Sequence, residues 1–328
     1  MLRSMKESQV DVERNLQDYQ IIVVTLVTSG VLASFRSSQP FRYVFIDEAA
    51  ASSEPETLLG IVNFKDPSCH IILSGDHKQL GPVVVSKCAA KLGLGQSLME
   101  RLMLSKHYEV DAEGNYDCTR QTRLRYNYRS HPKIVDLLNK LYYNDMLIAT
   151  APPLSVNLAE HWTLLPNTQS PILFHIVFGK TCNEANSSSS YNFEEAQVLA
   201  WYVRTLLRRG IGNGIKPQAK DIGVISPYAA QCKVLKQLLR RQHHQDVEVC
   251  TVHGFQGREK HIIIGSLVCS NANTTFISNP KLLNVLLSRA KSLLILIGNR
   301  RTLAKAEDFR YILEQCELNG NLLHAQKQ

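Results

Sequence analysis

The stretch that decides the fold is Tyr43-Val44-Phe45-Ile46-Asp47-Glu48-Ala49-Ala50. Its first four residues are apolar or aromatic, which predicts a short strand buried on both faces of a parallel sheet. The run then changes abruptly to two acids, and ligands bind at the carboxyl ends of strands in open parallel sheets. Neighbouring carboxylates there commonly hold a hard cation. The pattern predicts that Asp47 binds Mg²⁺ and that Glu48 orients a water for attack on a phosphate. A solvated acidic turn is the alternative interpretation.

Length and composition indicate a folded chain with polyanion partners. The 328 residues are enough for two domains of ordinary size, and 44% hydrophobic with 20% charged residues excludes a disordered chain. The formal net charge is +8 and the pI is about 9.0. This balance favours nucleic acid as the first candidate partner, although many basic proteins simply carry a basic surface.

The cysteines and the hydropathy pattern bear on the compartment. None of the eight cysteines has Cys-x-x-Cys spacing, so we expect free thiols in a reducing compartment and no zinc site. The first residues carry charges with no apolar run behind them, so no signal peptide is expected. The longest apolar zone, Leu282–Gly298, is interrupted by Arg289 and Lys291, so the sequence predicts no membrane span and no membrane partner.

Apolar, β-branched runs alternate with segments of helical periodicity, which predicts an α/β fold with two parallel sheets in series. The expected strands are residues 21–25, 43–46, 70–74, 172–177, 221–225, 247–252, 261–268 and 292–298. The expected helices begin near residues 52–56, 96, 131, 193, 231 and 282, and the last of them carries Arg289. The serine-rich residues 181–190 predict a flexible loop. Arginines crowd residues 120–129, and we place the domain boundary near residue 122, which gives domains 1–122 and 123–328.

A polar loop after the third expected strand is a second candidate for ligand contact. It contains Gly75, Asp76 and Gln79. Flexible polar residues directly after a buried strand suit a ligand-facing loop, and Gln79 has the right chemistry to hydrogen-bond a γ-phosphate or the attacking water. A decorated Gly/Pro turn is the alternative.

The second domain offers cations and further polar strand exits. Arg129 and Arg289 are suited to developing phosphate charge, because a guanidinium stays ionised and bonds phosphate with two N–H groups. An arginine supplied from one domain to a site on the other would couple domain closure to hydrolysis, and such an arginine can raise the rate ~10³–10⁵-fold. A surface ion pair is the alternative for either arginine. Gly257 and Glu259 fit a tight loop against a phosphate or ribose. Polar or aromatic residues at strand exits are candidates to grip a nucleic-acid backbone or stack a base: Thr25, Ser29, Tyr228, Gln231 and Thr251. Ordinary capping and turn chemistry is the alternative for each of these.

Six segments in order together resemble motifs II to VI of superfamily-one helicases, in the Upf-like branch and closest to the Armitage-type RNA-silencing helicases. They are Asp47–Ala49, Gly75–Pro82, Asn127–Pro132, Gly223–Tyr228, Phe255–Glu259 and Asn284–Lys291. The run Gly75–Pro82 is highly specific, and the resemblance covers most of residues 21–300.

The resemblance implies two RecA-like lobes with ATP and Mg²⁺ in their cleft and single-stranded RNA across their top, unwound 5′ to 3′. It implies that Asp47 and Glu48 bind Mg²⁺ and activate water, and that Gly75, Asp76 and Gln79 belong to the loop that senses the γ-phosphate. Arg129 and Arg289 then contact the γ-phosphate, Gly257 and Glu259 the ribose side, and Tyr228 the adenosine or RNA side. The resemblance also implies a monomer working with small-RNA silencing proteins in the cytoplasm, ribonucleoprotein granules included.

The sequence departs from the family at several positions. The phosphate cradle Gly-x-x-x-x-Gly-Lys-Ser/Thr does not occur in these 328 residues, so the first lobe is expected to be incomplete, lacking the Walker A half. His253 and His261 stand where the family has acids, and Ser288 replaces a usual Thr. These departures motivate the alternative of a non-catalytic RNA-binding scaffold derived from a helicase. A metal nuclease using Asp47 and Glu48 is a third hypothesis.

Overall fold

The chain divides into two compact units, Met1–Thr122 and Arg123–Gln328. The structure is a computed structural model and describes residues 19–32, 41–62, 68–111, 114–184, 187, 189–269 and 279–324.

The first unit is built on two parallel strands flanked by helices. In chain order its elements are helix α1 (Leu26–Leu32), strand β1 (Tyr43–Ile46), helix α2 (Glu54–Val62), strand β2 (His70–Leu73), helix α3 (Lys87–Ala89) and helix α4 (Leu98–Met103). The strands pair from Tyr43↔His70 to Ile46↔Leu73. Helix α2 begins where the sequence predicts, because Ser53 and Glu56 form reciprocal capping hydrogen bonds.

The strand expected at Ile21–Thr25 is wrong. These residues have no regular structure, and the exposed fractions of Ile21 and Val23 are 81% and 89%. Helix α1 begins directly afterwards, because the Thr25 side chain accepts a hydrogen bond from the Thr28 N–H at 3.2 Å, as an N-cap does. Strand propensity needs a sheet edge to pair with, and among the described residues β1 pairs only with β2.

The strand expected at Tyr43–Ile46 is confirmed, but its burial on both faces is wrong. The exposed fractions of Tyr43 and Phe45 are 58% and 71%, whereas Ile46 is buried. Tyr43 stacks on Phe45 and on His70 of the neighbouring strand. An apolar run therefore predicted the strand correctly without predicting what covers its second face.

The second unit contains a parallel sheet of six strands, in the order β12-β5-β11-β10-β8-β9. The described strands of the second unit, which include two pairs outside this sheet (β3 with β4 and β6 with β7), are β3 (Tyr126–Asn127), β4 (Ile148–Ala149), β5 (Ile172–Ile176), β6 (Thr181–Asn183), β7 (Ser190–Asn192), β8 (Ile222–Ser226), β9 (Glu248–Thr251), β10 (Lys260–Ser266), β11 (Ala290–Gly298) and β12 (Leu322–His324). Its helices are α5 (Pro132–Leu138), α6 (Pro153–Val156), α7 (Phe193–Arg209), α8 (Ala229–Arg241), α9 (Pro280–Leu287), α10 (Arg300–Leu303) and α11 (Glu307–Leu318). The central strands β10 and β11 are almost entirely buried, as apolar runs in a parallel sheet predict.

In the sheet of the second unit, all strands begin at one side, here called the amino edge, and end at the other, the carboxyl edge. Because all its strands are parallel, Glu259 and Arg289 both lie at the amino edge, directly before β10 and β11. Thr251 and Tyr228 both lie at the carboxyl edge, where β9 and β8 end in register. The five residues of β8 separate these edges by about 16 Å.

Two further expectations in the second unit need correction. Residues 181–190 are not simply a loop, because β6 and β7 pair as an antiparallel hairpin across them. The helix expected at 282–290 begins at Pro280, where Asn279 caps it, and ends at Leu287. Arg289 therefore lies in the turn before β11 and not on a helix. Among the described residues, no helix is long and apolar enough to cross a bilayer.

Candidate functional site

In the first unit, the ends of the two strands form one acidic turn. The Ser74 hydroxyl donates to Asp47 Oδ1 at 3.0 Å, and the Ala49 N–H donates to the Ser74 carbonyl at 2.8 Å. Glu48 has φ of 52°, a left-handed conformation that is uncommon for residues other than glycine. Such backbone conformations cluster at functional sites, so the turn presents Glu48 at a small conformational cost.

The loop after β2 lies against this turn. A Cβ built on Gly75 would lie 3.0 Å from the Ala50 nitrogen and 3.2 Å from the Ala49 nitrogen, so only glycine lets the two strand exits approach this closely. Asp76 accepts hydrogen bonds from the Lys78 N–H at 2.9 Å and from Gln79 Nε2 at 2.8 Å. The loop thus orients the Gln79 amide relative to the acidic turn.

The acidic turn fits a hard cation. Asp47 and Glu48 are exposed, and the oxygens present at the turn are those of the two carboxylates and of the Ser74 hydroxyl. Across the described residues, no group of three or more His, Cys, Asp or Glu side chains converges as a metal site. Mg²⁺ suits such a place, because it keeps several waters and often takes only one or two protein carboxylates.

In the second unit, Glu259 is held between two cations at the amino edge. Arg129 Nε donates to Glu259 Oε2, and Lys291 Nζ lies 2.6 Å from Glu259 Oε1. Burial by itself raises the Glu259 pKa, but the Lys291 and Arg129 contacts outweigh it and hold the pKa below its usual value. The carboxylate therefore stays ionised and fixes both cations.

The two predicted arginines converge on Ser288. Arg129 Nη1 donates to the Ser288 carbonyl at 3.3 Å, and Arg289 Nη2 donates to the Ser288 hydroxyl at 2.8 Å. Arg289 has an exposed fraction of only 2% and also donates to the carbonyls of Val285 and Arg258. A guanidinium buried this way has its direction set by the surrounding fold.

The amino edge carries an excess of positive charge. Besides the groups around Glu259, Arg258 and Lys260 both pair with Glu248. Five cations (Arg129, Arg258, Lys260, Arg289, Lys291) thus surround two carboxylates (Glu248, Glu259), which leaves a formal charge of three. We call this group the amino-edge cluster. Chemically it suits a polyphosphate, which arginine binds bidentately.

Gly257 gives the turn into this cluster its shape. Its φ is 73°, in the left-handed region, and a Cβ there would meet nothing within 4 Å. The requirement for glycine at this position is therefore conformational and not steric.

Tyr228, which the resemblance assigns to the adenosine or RNA side, lies at the opposite end of the strands from the amino-edge cluster. Tyr228 follows β8 at the carboxyl edge, and burial together with the neighbouring Cys269 raises its pKa to about 12. Thr251 lies at the same edge and accepts a hydrogen bond from the Gly254 N–H. Both positions agree with the alternative that they face RNA.

Three of the candidate nucleic-acid residues have hydrogen bonds that support the fold. Gln231 is fully buried, and its amide bonds the Asn192 backbone and the Ser266 hydroxyl. Ser29 is also buried, and its hydroxyl donates to the Leu26 carbonyl. Thr25 caps α1. Polar residues at strand exits and helix starts have these structural uses, which a sequence pattern does not distinguish from ligand contact.

Sequence reasoning gave no role to several residues that organise the sites. Ser74 holds Asp47, Lys291 shares Glu259 with Arg129, and Ser288 accepts from both arginines. Asn127 fixes the Arg129 segment by accepting from the N–H groups of Arg129 and Ser130 at 2.9 Å. For Lys291 a signal was present, because it lies two residues after Arg289 at the start of a strand.

Fold and site together define a class of protein: α/β units of the RecA-like type, with oxygen ligands at one set of strand ends and a phosphate-suited cation cluster. Two protein-family models, both described as "AAA domain", match residues 2–87 and 94–301. The chain belongs to this family, in its Upf1-like superfamily-one helicase branch near the Mov10 types.

Several curated proteins are similar to the chain. MOV-10 of Gallus gallus is 37% identical over 93% of this chain and 34% of that protein. The RNA helicase Mov10l1 of Homo sapiens is 37% identical over 92% of this chain and 26% of that protein. The Regulator of nonsense transcripts 1 homolog of Drosophila melanogaster is 35% identical over 91% and 24%. The chain therefore spans about a quarter to a third of the length of these relatives.

Proposed function

We propose that this chain forms part of the ATP-hydrolysing core of an RNA helicase that moves 5′ to 3′ on single-stranded RNA in small-RNA-mediated gene silencing. One observation carries the proposal: Arg129 and Arg289, far apart in sequence, converge on Ser288 beside Glu259. A cation cluster of this kind is what phosphoryl transfer needs, because catalysis there is mostly positioning and charge stabilisation. The names of the relatives support helicase activity and RNA as the substrate.

Each predicted residue has a chemical task in this proposal. Bound Mg²⁺ neutralises phosphate charge, and Asp47 is the residue to hold it, with Ser74 fixing its carboxylate. Glu48 orients the attacking water and accepts its proton, and Gln79 hydrogen-bonds the water or the γ-phosphate. Arg129 and Arg289 bind the phosphate oxygens on which negative charge develops.

The test is the substitution Glu48→Gln with Glu109→Gln as the matched control, since Glu109 is an exposed acid elsewhere in the first unit. We expect Glu48→Gln to abolish RNA-stimulated phosphate release while RNA binding, followed by fluorescence anisotropy, stays unchanged. The control should retain both. Unchanged turnover in Glu48→Gln would rule out its assignment as the residue that activates water.

The same measurements separate the competing hypotheses. RNA binding without phosphate release by the unsubstituted protein would indicate a non-catalytic RNA-binding scaffold. Mg²⁺-dependent cleavage of labelled RNA without ATP would indicate a metal nuclease. The proposal also includes a cytoplasmic monomer that works with silencing proteins, ribonucleoprotein granules included; fractionation and co-purification from cytoplasmic extract would test this.

A further inference from the structure

Phe178 is a large aromatic side chain presented to solvent at the carboxyl edge of the second unit. Its exposed fraction is 60%, although it directly follows the buried Val177 at the end of β5. The guanidinium carbon of Arg301 lies 5.4 Å from the centre of the Phe178 ring, within the range of a cation–π contact. We call these two side chains the Phe178 platform.

The backbone on both sides of Phe178 is fixed. The Val177 N–H donates to the Gly298 carbonyl at 3.0 Å, which continues the pairing of β5 with β11. A Cβ built on Gly179 would lie 2.4 Å from Asn192 Oδ1, and Asn192 is the buried cap of α7. The ring is therefore held at the edge of the sheet by tight packing of its neighbours, and it is not on a loose loop.

The surroundings of the platform are basic. Arg300 pairs with Glu317 at 2.6 Å, whereas neither Arg301 nor the exposed Lys180 is in an ion pair with any residue that the structure describes. Glu194 lies beside Gly179, so the local balance is two cations to one acid. A polyanion would gain from contact with these cations.

The platform shares its edge with the candidate RNA-facing residues. Tyr228 follows β8 at this edge, where Cys269 contributes to its raised pKa. The Thr181 hydroxyl, three residues after Phe178, donates to the carbonyl of Val268, the neighbour of Cys269, at 2.9 Å. In the sheet order, β5 is three strands from β8, which is about 14 Å along the edge. A single strand of RNA crossing that edge can therefore contact Tyr228 and the platform together.

We propose that the Phe178 platform is an additional contact for single-stranded RNA, at which one unpaired base stacks while Arg301 and Lys180 meet the neighbouring phosphates. Aromatic rings and guanidinium planes both stack bases without regard to sequence. An acidic protein segment would use the two cations but has no need of the ring face, so the exposed ring favours RNA. This inference rests on the proposed function, since it extends the RNA path of the same protein.

The experiment uses the whole 328-residue chain and measures its Kd for fluorescent oligouridylates by fluorescence anisotropy. Phe178→Ala should weaken binding roughly 5- to 150-fold, the range that corresponds to the loss of one stacked base. Phe178→Tyr should restore it, because a phenol ring also stacks. Arg301→Gln should reduce the slope of log Kd against log salt by about 0.7, as loss of one phosphate contact does. Arg209→Gln is the matched control, an exposed arginine at the other end of α7 from Asn192.

A second measurement includes two results from the wild type alone, which do not depend on how the variants fold. An abasic nucleotide at the stacking position should weaken wild-type binding and remove the difference between wild type and Phe178→Ala. Photo-cross-linking with 5-iodouridine should mark the peptide that contains Phe178.

The outcomes separate this inference from the function it extends. If wild type binds RNA but Phe178→Ala binds equally well and no cross-link reaches Phe178, the platform is overturned and the proposed function stands. If wild type binds no RNA, the proposed function and the platform fall together. If Phe178→Ala weakens binding equally with and without the abasic nucleotide, the ring does not stack a base and the inference is wrong.

Discussion

Arg289 and Glu195 are both buried in the second unit, and the cost of burying an ionisable group is reduced in a different way for each. A guanidinium does not lose its proton, so three oxygen acceptors surround Arg289. A carboxyl group can stay protonated instead. Glu195 Oε2 accepts from the Val268 N–H at 2.9 Å and the Ser266 hydroxyl at 2.8 Å, yet burial raises its pKa to about 7.

This raised pKa makes stability depend on pH. An unfolded Glu195 loses its proton near 4.5, whereas the folded one keeps it until about 7. The free energy of unfolding therefore falls as pH rises through that window, by up to about 3 kcal/mol from this residue. Glu195→Gln keeps an oxygen acceptor and cannot ionise, so it lacks this dependence on pH. We expect the free energy of unfolding of wild type minus that of Glu195→Gln to be larger at about pH 5 than at about pH 8. Urea unfolding midpoints measure this.

The comparison has to be made between the two proteins at each pH. Burial and the nearby His324 lower the pKa of His175 to about 4, so His175 destabilises the fold as pH falls below its ordinary value of 6.5. The His175 effect makes the fold more stable as pH rises from about 4 to 6.5, which opposes the Glu195 effect over part of the same pH range. It is present in both proteins, so it cancels in the difference between wild type and Glu195→Gln. A difference that is the same at both pH values would contradict a Glu195 that is protonated in the fold.

At the scale of elements, the acidic turn depends on how closely two strand exits approach. The Asp47 carboxylate and the Ala49 N–H both bond Ser74 at the end of β2, and Gly75 allows the backbones to touch. The turn is therefore a property of the β1–β2 pair, and a change in either exit moves both acids.

Gly75→Ala tests this coupling. The new Cβ would press on the nitrogens of Ala49 and Ala50, and such overpacking costs about 1–3 kcal/mol. We expect a lower thermal unfolding temperature and weaker Mn²⁺ binding, followed by electron paramagnetic resonance as a probe of the Mg²⁺ position. Gly95→Ala is the control, because a Cβ there meets nothing within 4 Å and φ is −77°. If both variants melt and bind Mn²⁺ alike, the close approach has no role.

Five strands of the second unit's parallel sheet, all but β12, could be predicted from sequence because each lies in an apolar, β-branched run. The helix expected to begin near residue 193 does begin at Phe193, and Asn192 caps it. Residues 21–25 were predicted wrongly because propensity says nothing about whether a partner edge exists. The end of α9 at Leu287 was missed because no Gly or Pro marks it, and the helical pattern runs on into β11.

The candidate site was predictable in its residue types but not in its connections. Acids and arginines at strand ends can be recognised in the sequence as site candidates, because the corresponding ends of parallel strands lie together at one edge of the sheet. The bridge from Arg129 through Glu259 to Lys291 depends on the register of β10 with β11, which sequence spacing does not reveal. For the same reason nothing in the sequence distinguished Gln231, buried against Asn192, from an RNA contact.

At the scale of the whole molecule, the proposed function draws its residues from both units. The metal-suited acids belong to the first unit and the amino-edge cluster to the second. Neither set alone has both a group to orient water and cations to meet the developing charge. The proposed function therefore requires that both sets serve the same reaction.

Kinetic non-additivity tests that requirement. Glu48→Gln and Arg289→Gln should each lower RNA-stimulated phosphate release, the arginine change by as much as ~10³-fold or more if it acts as an arginine finger. Because residues that serve one chemical step act as a unit, the double variant should lose little beyond the more damaging single change. Arg209→Gln alone is the control, and it should leave phosphate release unchanged, because Arg209 is exposed at the end of α7. Losses that multiply for Glu48 and Arg289 would mean that the two side chains act on separate steps, and the proposal that they serve one reaction would have to be abandoned.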